Sequence, residues 1–229
     1  MVNSLDGGLH MTEHLSDSAG IHPSQMEVLK FQERRAQDGG KVEGETRGGC
    51  TFVLGGARSG KSTFAERWAS RLSEIHGLPV TYVATAQASD REMEDRILRH
   101  RIRRPDDWLT VEEPLDVANW IARQTEPKVI IVDCLTLLLN NWMWLERCSE
   151  SQFVARMEEL VTAIAQSTSH IVVVSNEAGQ GIVPADPLSR QYRDWLGLLN
   201  QAIAKQAEVV IWMVAGIPID LKKFEAQWP

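Results

Sequence analysis

The sequence predicts an α/β domain: a mostly parallel β-sheet with helices packed on both faces. Three observations predict it. From residue 50 onward, short and wholly apolar runs recur, the signature of strands buried on both faces. Between them lie longer segments whose apolar residues repeat at helical spacing. The first apolar run leads into Gly55-Gly56-Ala57-Arg58-Ser59-Gly60-Lys61-Ser62, which fits G-x-x-x-x-G-K-[ST] set between a strand and a helix. With 43% hydrophobic and 24% charged residues, the chain has enough apolar material for a real core.

Each element follows in order. Residues 51–54 read as the first strand, ended by glycines. Residues 62–75 read as a helix, because Phe64, Trp68 and Leu72 recur every four positions. Residues 80–84, after Pro79, are strand-like. Residues 90–103 form a helix stopped by Pro105. Residues 115–124 are helical, and 129–132 form an apolar strand ending at Asp133. Residues 151–166 are helical, and 171–174 are an apolar strand ending at Ser175-Asn176-Glu177. Residues 186–205 are mostly helical, and 209–214 close the series. No internal repeat and no low-complexity tract interrupts the pattern.

Residues 1–49 differ in composition. They hold 8 of the 16 glycines and 3 of the 6 histidines, but none of the 8 tryptophans. They read as a flexible extension with one short apolar pattern around Met26, Val28, Leu29 and Phe31. The spacing of His10, His14 and His22 fits no tight metal site. Residues 50–229 read as a single domain.

Charge and cysteine usage exclude several classes. A net charge of -7 argues against non-specific binding to nucleic acid or to an anionic membrane. No run approaches the length of a membrane span, and the start lacks the pattern of a secretory signal. Cys50, Cys134 and Cys148 form neither a disulfide framework nor a CxxC pair, which points to a reducing cytoplasm.

The glycine-rich segment has a direct physical reading. Small residues let the backbone wrap a phosphate with several N–H groups pointing inward, and the following helix adds its positive end. Lys61 then bridges the terminal phosphates, and the Ser62 hydroxyl holds Mg²⁺. Asp133, at the end of an inner strand, supplies the Mg²⁺ carboxylate; the plainer alternative is an aspartate that caps the next turn.

In the helix over 90–103, Arg96, Arg99, His100 and Arg103 fall within roughly a 100° arc, while Met93, Ile97, Leu98 and Ile102 face the other way. Glu92 lies in the cationic arc and can pair with Arg96. Cations beside His100 keep its ring neutral, and a neutral imidazole is a competent nucleophile toward phosphorus. On composition alone, a solvated helix face with a bystander histidine is the plainer reading. Asn176 and Glu177 either position a second substrate or, with Ser175, cap a helix.

These motifs together resemble one family. The phosphate loop, Tyr82-Val83-Ala84-Thr85-Ala86-Gln87, the histidine helix ending in Arg104-Pro105, the run Ser175-Asn176-Glu177-Ala178-Gly179-Gln180-Gly181-Ile182-Val183-Pro184, Arg193-Asp194 and Asn200-Gln201 stand in the family's order. They are similar to the bifunctional adenosylcobinamide kinase / adenosylcobinamide-phosphate guanylyltransferases of cobalamin biosynthesis, over about residues 50–217. The resemblance implies a RecA-like P-loop NTPase fold, assembled as a homotrimer. It implies phosphorylation of adenosylcobinamide by a nucleoside triphosphate, ATP or GTP. Transfer of GMP from GTP onto that phosphate then follows, through a histidine adduct whose matching position is His100. The implied nucleotide contacts are Gly55, Gly56, Ala57, Arg58, Ser59, Gly60, Lys61, Ser62, Ala84, Thr85, Ala86, Arg101, Ile102, Arg103, Arg104, Glu112 and Asp133. The implied catalytic pair is His100 and Lys61.

Three departures stand out. Arg99 occupies the place where some relatives carry a first histidine, and Asp133 stands where some carry glutamate. The extension over 1–49 precedes the usual start. Two rivals remain on sequence alone. A plain P-loop kinase would leave His100 inert. A RecA-like ATPase acting on nucleic acid would need a basic surface, which the overall acidity opposes.

Overall fold

The computed structural model describes residues 48–87, 91, 98, 101–102 and 104–226, all within the unit Lys41–Pro229. Strand β1 (Cys50–Gly55) leads into helix α1 (Lys61–His76), then β2 (Val80–Ala84) and β3 (Leu109–Glu112). Helix α2 (Val117–Ala122) precedes β4 (Val129–Asp133), and α3 (Leu135–Trp144) and α4 (Glu150–Gln166) follow it. Then come β5 (His170–Asn176), α5 (Pro187–Gln206), β6 (Val209–Val214), β7 (Ile217–Asp220) and a 3-10 turn, Leu221–Phe224.

The strands form one sheet in the order β3-β2-β4-β5-β1-β6-β7. All neighbouring pairs are parallel except β6 with β7. This is the α/β architecture that the sequence predicts, a mostly parallel sheet flanked by helices. The alternation of side chains along each strand sets two apolar faces. On one face Phe52, Ile130, Val132, Ile171, Val173 and Val210 meet residues of α2, α3, α4 and α5, including Leu138, Phe153 and Leu199. On the other, α1 lies along β4 and β5, and its Trp68 donates to Thr51 Oγ1 at 3.1 Å. The inner strands β4 and β5 are buried along nearly their whole length, which explains their unbroken apolar runs.

Chain ends of helices are well specified. Ser149 and Gln152 close a capping box at α4, and Asp186 caps α5 by accepting from Ser189 N–H, with Pro187 in the first turn.

Three elements lie outside the sequence-based pattern. β3 is a short edge strand whose Leu109 is 60% exposed, so no apolar run marks it. α3 is apolar on nearly all sides because it is buried, and a helix without a polar face shows no helical period. β7 contains Pro218, which an edge strand tolerates, and is joined to β6 by Ala215 and Gly216, both at positive φ. Of the helix expected over 90–103, Arg91, Leu98, Arg101 and Ile102 are helical; the remainder lies outside the described residues.

Candidate nucleotide and phosphoryl-transfer site

The phosphate loop is shaped by backbone conformations that only certain residues accept. Gly55 has φ +157°, and a Cβ there would stand 2.5 Å from the Met213 carbonyl oxygen, so a side chain has no room. Gly60, at φ +96°, turns the chain into α1. The loop is braced from both flanks. Glu177 N–H donates to Gly55 O at 3.0 Å from the end of β5, and Gly216 N–H donates to Ser59 O at 3.0 Å from the β6–β7 turn. Gly56, Ala57 and Arg58 are exposed, while Ser59 and Lys61 are buried. The Lys61 ammonium donates to Gly56 O at 2.5 Å and to Ser59 Oγ at 3.5 Å. A cation is therefore held inside a concave backbone loop at the start of a helix, an arrangement made for anionic oxygens.

Sheet register brings further groups to the same edge. Ala84 of β2 lies level with Glu112 of β3 and Asp133 of β4, and Gly55 lies level with Asn176 of β5. The carboxyl ends of parallel strands are where open sheets bind ligands. The Tyr82 hydroxyl donates to Asp133 Oδ2 at 2.5 Å. Burial raises the Tyr82 phenol well above its ordinary range. The Asp133 charge adds to this and Arg104 opposes it, so the hydroxyl keeps its proton. The Arg104 guanidinium carbon stands 3.3 Å from the Tyr82 ring centre, and its NH1 donates to Thr110 Oγ1 at 3.2 Å.

Thr85 knits the ends of β2 and β4 together. Its N–H donates to Asp133 O at 3.1 Å. Its hydroxyl donates to Cys134 O and accepts from Cys134 N–H, both at 2.8 Å. Asn141 Nδ2 donates to Thr85 O and to Pro114 O, both at 2.9 Å. The residue has no exposed surface, so it shapes the site from beneath.

The exit of β5 is held by a side-chain network. Ser175 Oγ donates to Asn200 Oδ1 at 2.7 Å, and Asn200 Nδ2 donates to Asn176 O at 3.1 Å. Asn176 N–H donates to Thr136 Oγ1 at 3.2 Å. No helix begins here: α5 starts at Pro187 and is capped by Asp186. The helix-capping reading of Ser175, Asn176 and Glu177 is thus overturned. Glu177 instead accepts from Gly179 N–H at 2.7 Å and shapes the loop over 177–186.

Among the expected residues, the loop from Gly55 to Ser62 and Ala84, Thr85, Ala86, Glu112 and Asp133 come together at one sheet edge. Arg104 joins them through Tyr82. Arg101 and Ile102 are exposed. His100 and Arg103 lie outside the described residues. Sequence reasoning missed Asn141 and Gly216 as supports, since nothing in a lone asparagine or glycine announces a partner tens of residues away; Asn200 stood in the resembling motif without an assigned role. Ser62 is half-buried in the first turn of α1, and only one Asp133 oxygen is taken up by Tyr82. A hydroxyl and a carboxylate are hard oxygen donors that suit Mg²⁺ together with phosphate oxygens. Among the described residues no group of three or more His, Cys, Asp or Glu could hold a metal alone. No described helix is long and apolar enough to cross a membrane.

A family model described as "Cobinamide kinase / cobinamide phosphate guanyltransferase" matches residues 51–221. The bifunctional adenosylcobalamin biosynthesis protein CobP of Pseudomonas aeruginosa is 47% identical over 173 residues, covering 75% of this chain and 96% of that protein. The bifunctional adenosylcobalamin biosynthesis protein CobU of Escherichia coli is 35% identical over 183 residues, covering 75% of this chain and 98% of that protein. Among solved structures, the flagellar accessory protein FlaH of Methanocaldococcus jannaschii is similar at a TM-score of 0.42 and 17% identity, covering 80% of each chain.

Proposed function

The chain belongs to the cobinamide kinase / cobinamide phosphate guanyltransferase family, and from that premise we propose how its two activities share one site. The enzyme is bifunctional: it phosphorylates adenosylcobinamide and then guanylylates the product. The observation that carries our reading is the braced phosphate loop, with the buried Lys61 ammonium inside it, on the sheet edge that also presents Asp133.

In the kinase step, the terminal phosphates of ATP or GTP lie in the loop of Gly55 to Ser62, and Lys61 offsets their charge. The substrate hydroxyl attacks the γ-phosphorus and the nucleoside diphosphate leaves. In the second step a neutral His100 nitrogen attacks the α-phosphorus of GTP. The bond from that phosphorus to the bridging oxygen breaks, pyrophosphate leaves, and a GMP–histidine phosphoramidate forms. An oxygen of cobinamide phosphate then attacks the same phosphorus and frees the imidazole, giving adenosyl-GDP-cobinamide. Arg101, Arg103 and Arg104 stabilise the charge of the departing pyrophosphate. Ala84, Ala86, Ile102 and Glu112 complete the nucleotide contacts, and Thr85 supports them from beneath. Ser62 and Asp133 hold Mg²⁺, which when bound neutralises developing charge on the phosphates. The resemblance further supports a homotrimer in the cytoplasm, without nucleic acid as a partner. The extension expected over 1–49 is shortened by Gly48 and Gly49, which lie against the sheet; residues 1–47 are the part that neither step needs.

The test is the intact mass of the protein after incubation with GTP and Mg²⁺. A GMP adduct is expected, with label from the α-phosphate and none from the γ-phosphate, labile in acid and more stable in base. His100→Asn should lose the adduct and the second step but retain phosphorylation of the corrinoid side chain. An adduct surviving in His100→Asn would assign the nucleophile elsewhere.

A further inference from the structure

We propose that Tyr82 is the positioning residue of the Asp133 carboxylate, its hydroxyl fixing Oδ2 at 2.5 Å while the Arg104 guanidinium locks its ring from 3.3 Å. The inference rests on the reading that Asp133 is the metal carboxylate.

Tyr82 is only 2% exposed, so its orientation is set by packing rather than by solvent. Asp133 is the last residue of β4, where a short side chain next to open solvent would otherwise rotate. A single charge-assisted hydrogen bond to Oδ2 fixes the carboxylate plane and leaves Oδ1 for a ligand. The ring is itself immobilised. Arg104 covers its face and is tethered to Thr110 on the neighbouring strand β3. Arg104 Nε is buried without a hydrogen-bond partner, a rare condition that the contact with the electron-rich ring face compensates. The support chain thus runs from β3 through Arg104 and Tyr82 to β4. One ring thus meets the carboxylate at its hydroxyl and the Arg104 guanidinium at its face. Groups that orient a metal ligand shift metal affinity without touching the metal.

The experiment measures Mn²⁺ in place of Mg²⁺, by electron paramagnetic resonance, on the full chain with a non-hydrolysable GTP analogue. Tyr82→Phe should bind Mn²⁺ about tenfold more weakly. Its affinity for the analogue in EDTA should stay at the wild-type value. Asp133→Asn is the control for the underlying reading. If Asp133→Asn keeps wild-type Mn²⁺ affinity, the metal assignment fails and the proposal falls with it. If Asp133→Asn loses affinity while Tyr82→Phe matches wild type, Tyr82 alone is overturned. A second measurement avoids substitution at the site. The chain has 2 tyrosines, so NMR of Cζ-labelled tyrosine in a Tyr192→Phe background reports Tyr82 alone. Adding Mg²⁺ to the nucleotide complex should shift that signal, because its acceptor gains a metal; an unmoved signal overturns the proposal.

Discussion

Thr85 and Lys61 are both buried at the sheet edge, yet they should fail differently when altered. Every polar group of Thr85 already has a partner within the protein. Thr85→Val keeps the shape but strips Cys134 N–H of its acceptor. Leaving one buried donor unpaired costs about 1–3 kcal/mol, so urea unfolding should show a loss of that size. Thr85→Ser should recover most of it. Lys61, by contrast, donates to Gly56 O and Ser59 Oγ of its own loop, partners that a phosphate would replace. Lys61→Ala should weaken triphosphate binding by about 1.5–3 kcal/mol, the range for a hydrogen bond to a charged group. Kinase turnover should vanish while the fold persists. Normal turnover in that variant would remove the phosphate-loop assignment. The sequence made Lys61 legible because its motif is local. Thr85 stood in the resembling segment as a nucleotide contact, and only the three-dimensional pairing with Cys134 and Asn141 revealed it as a brace.

At the scale of elements, strands β1, β4, β5 and β6 were legible because burial on both faces forces uninterrupted apolar runs. The same burial hid α3, whose Leu135, Leu138 and Leu139 are wholly enclosed and whose sequence has no polar stripe to mark a helix. β3 and β7 were hidden for the opposite reason: as edge strands they need neither apolar runs nor freedom from proline. The far end of the sheet carries a pH-dependent junction between α1 and β5. His76 and His170 stack with ring centres 4.2 Å apart. Burial, then the charge of His76, pushes His170 down from 6.5 to about 4, and burial lowers His76 as well. Between those values the unfolded chain binds more protons than the folded one. Stability is therefore complete above about pH 6.5 and falls as pH drops toward 4. The His170→Gln variant removes that proton uptake, so its melting temperature should decline less between pH 7 and 5 than the wild type's. Parallel declines would show that His170 does not contribute.

At the scale of the whole molecule, the question is how much chain the two activities need. The relative from Pseudomonas aeruginosa is matched over 96% of its length by 75% of this chain, and the family match begins at residue 51. Among the described residues, the first hydrogen bond that ties the chain to the sheet lies just before β1: Gly49 O accepts from Ile171 N–H at 2.8 Å. Gly48 presses on the Ser169 carbonyl so closely that a Cβ there would lie 1.9 Å from its oxygen. Gly48 and Gly49 therefore pack with the sheet, and we propose that the working domain begins at residue 48. Upstream of it the composition is rich in glycine and free of tryptophan, poor material for burying surface. A protein lacking residues 1–47 should keep both activities and melt within about 2 °C of the full chain, less than the shift expected from 1 kcal/mol in a domain this size. Removing residues 1–49 instead deletes the Gly49 acceptor, leaves Ile171 N–H unpaired within β5, and should lower stability by about 1–3 kcal/mol. The contrast between the two cuts is the informative measurement. If the shorter deletion already loses an activity or melts many degrees lower, the extension is part of the working enzyme and the boundary at residue 48 is wrong.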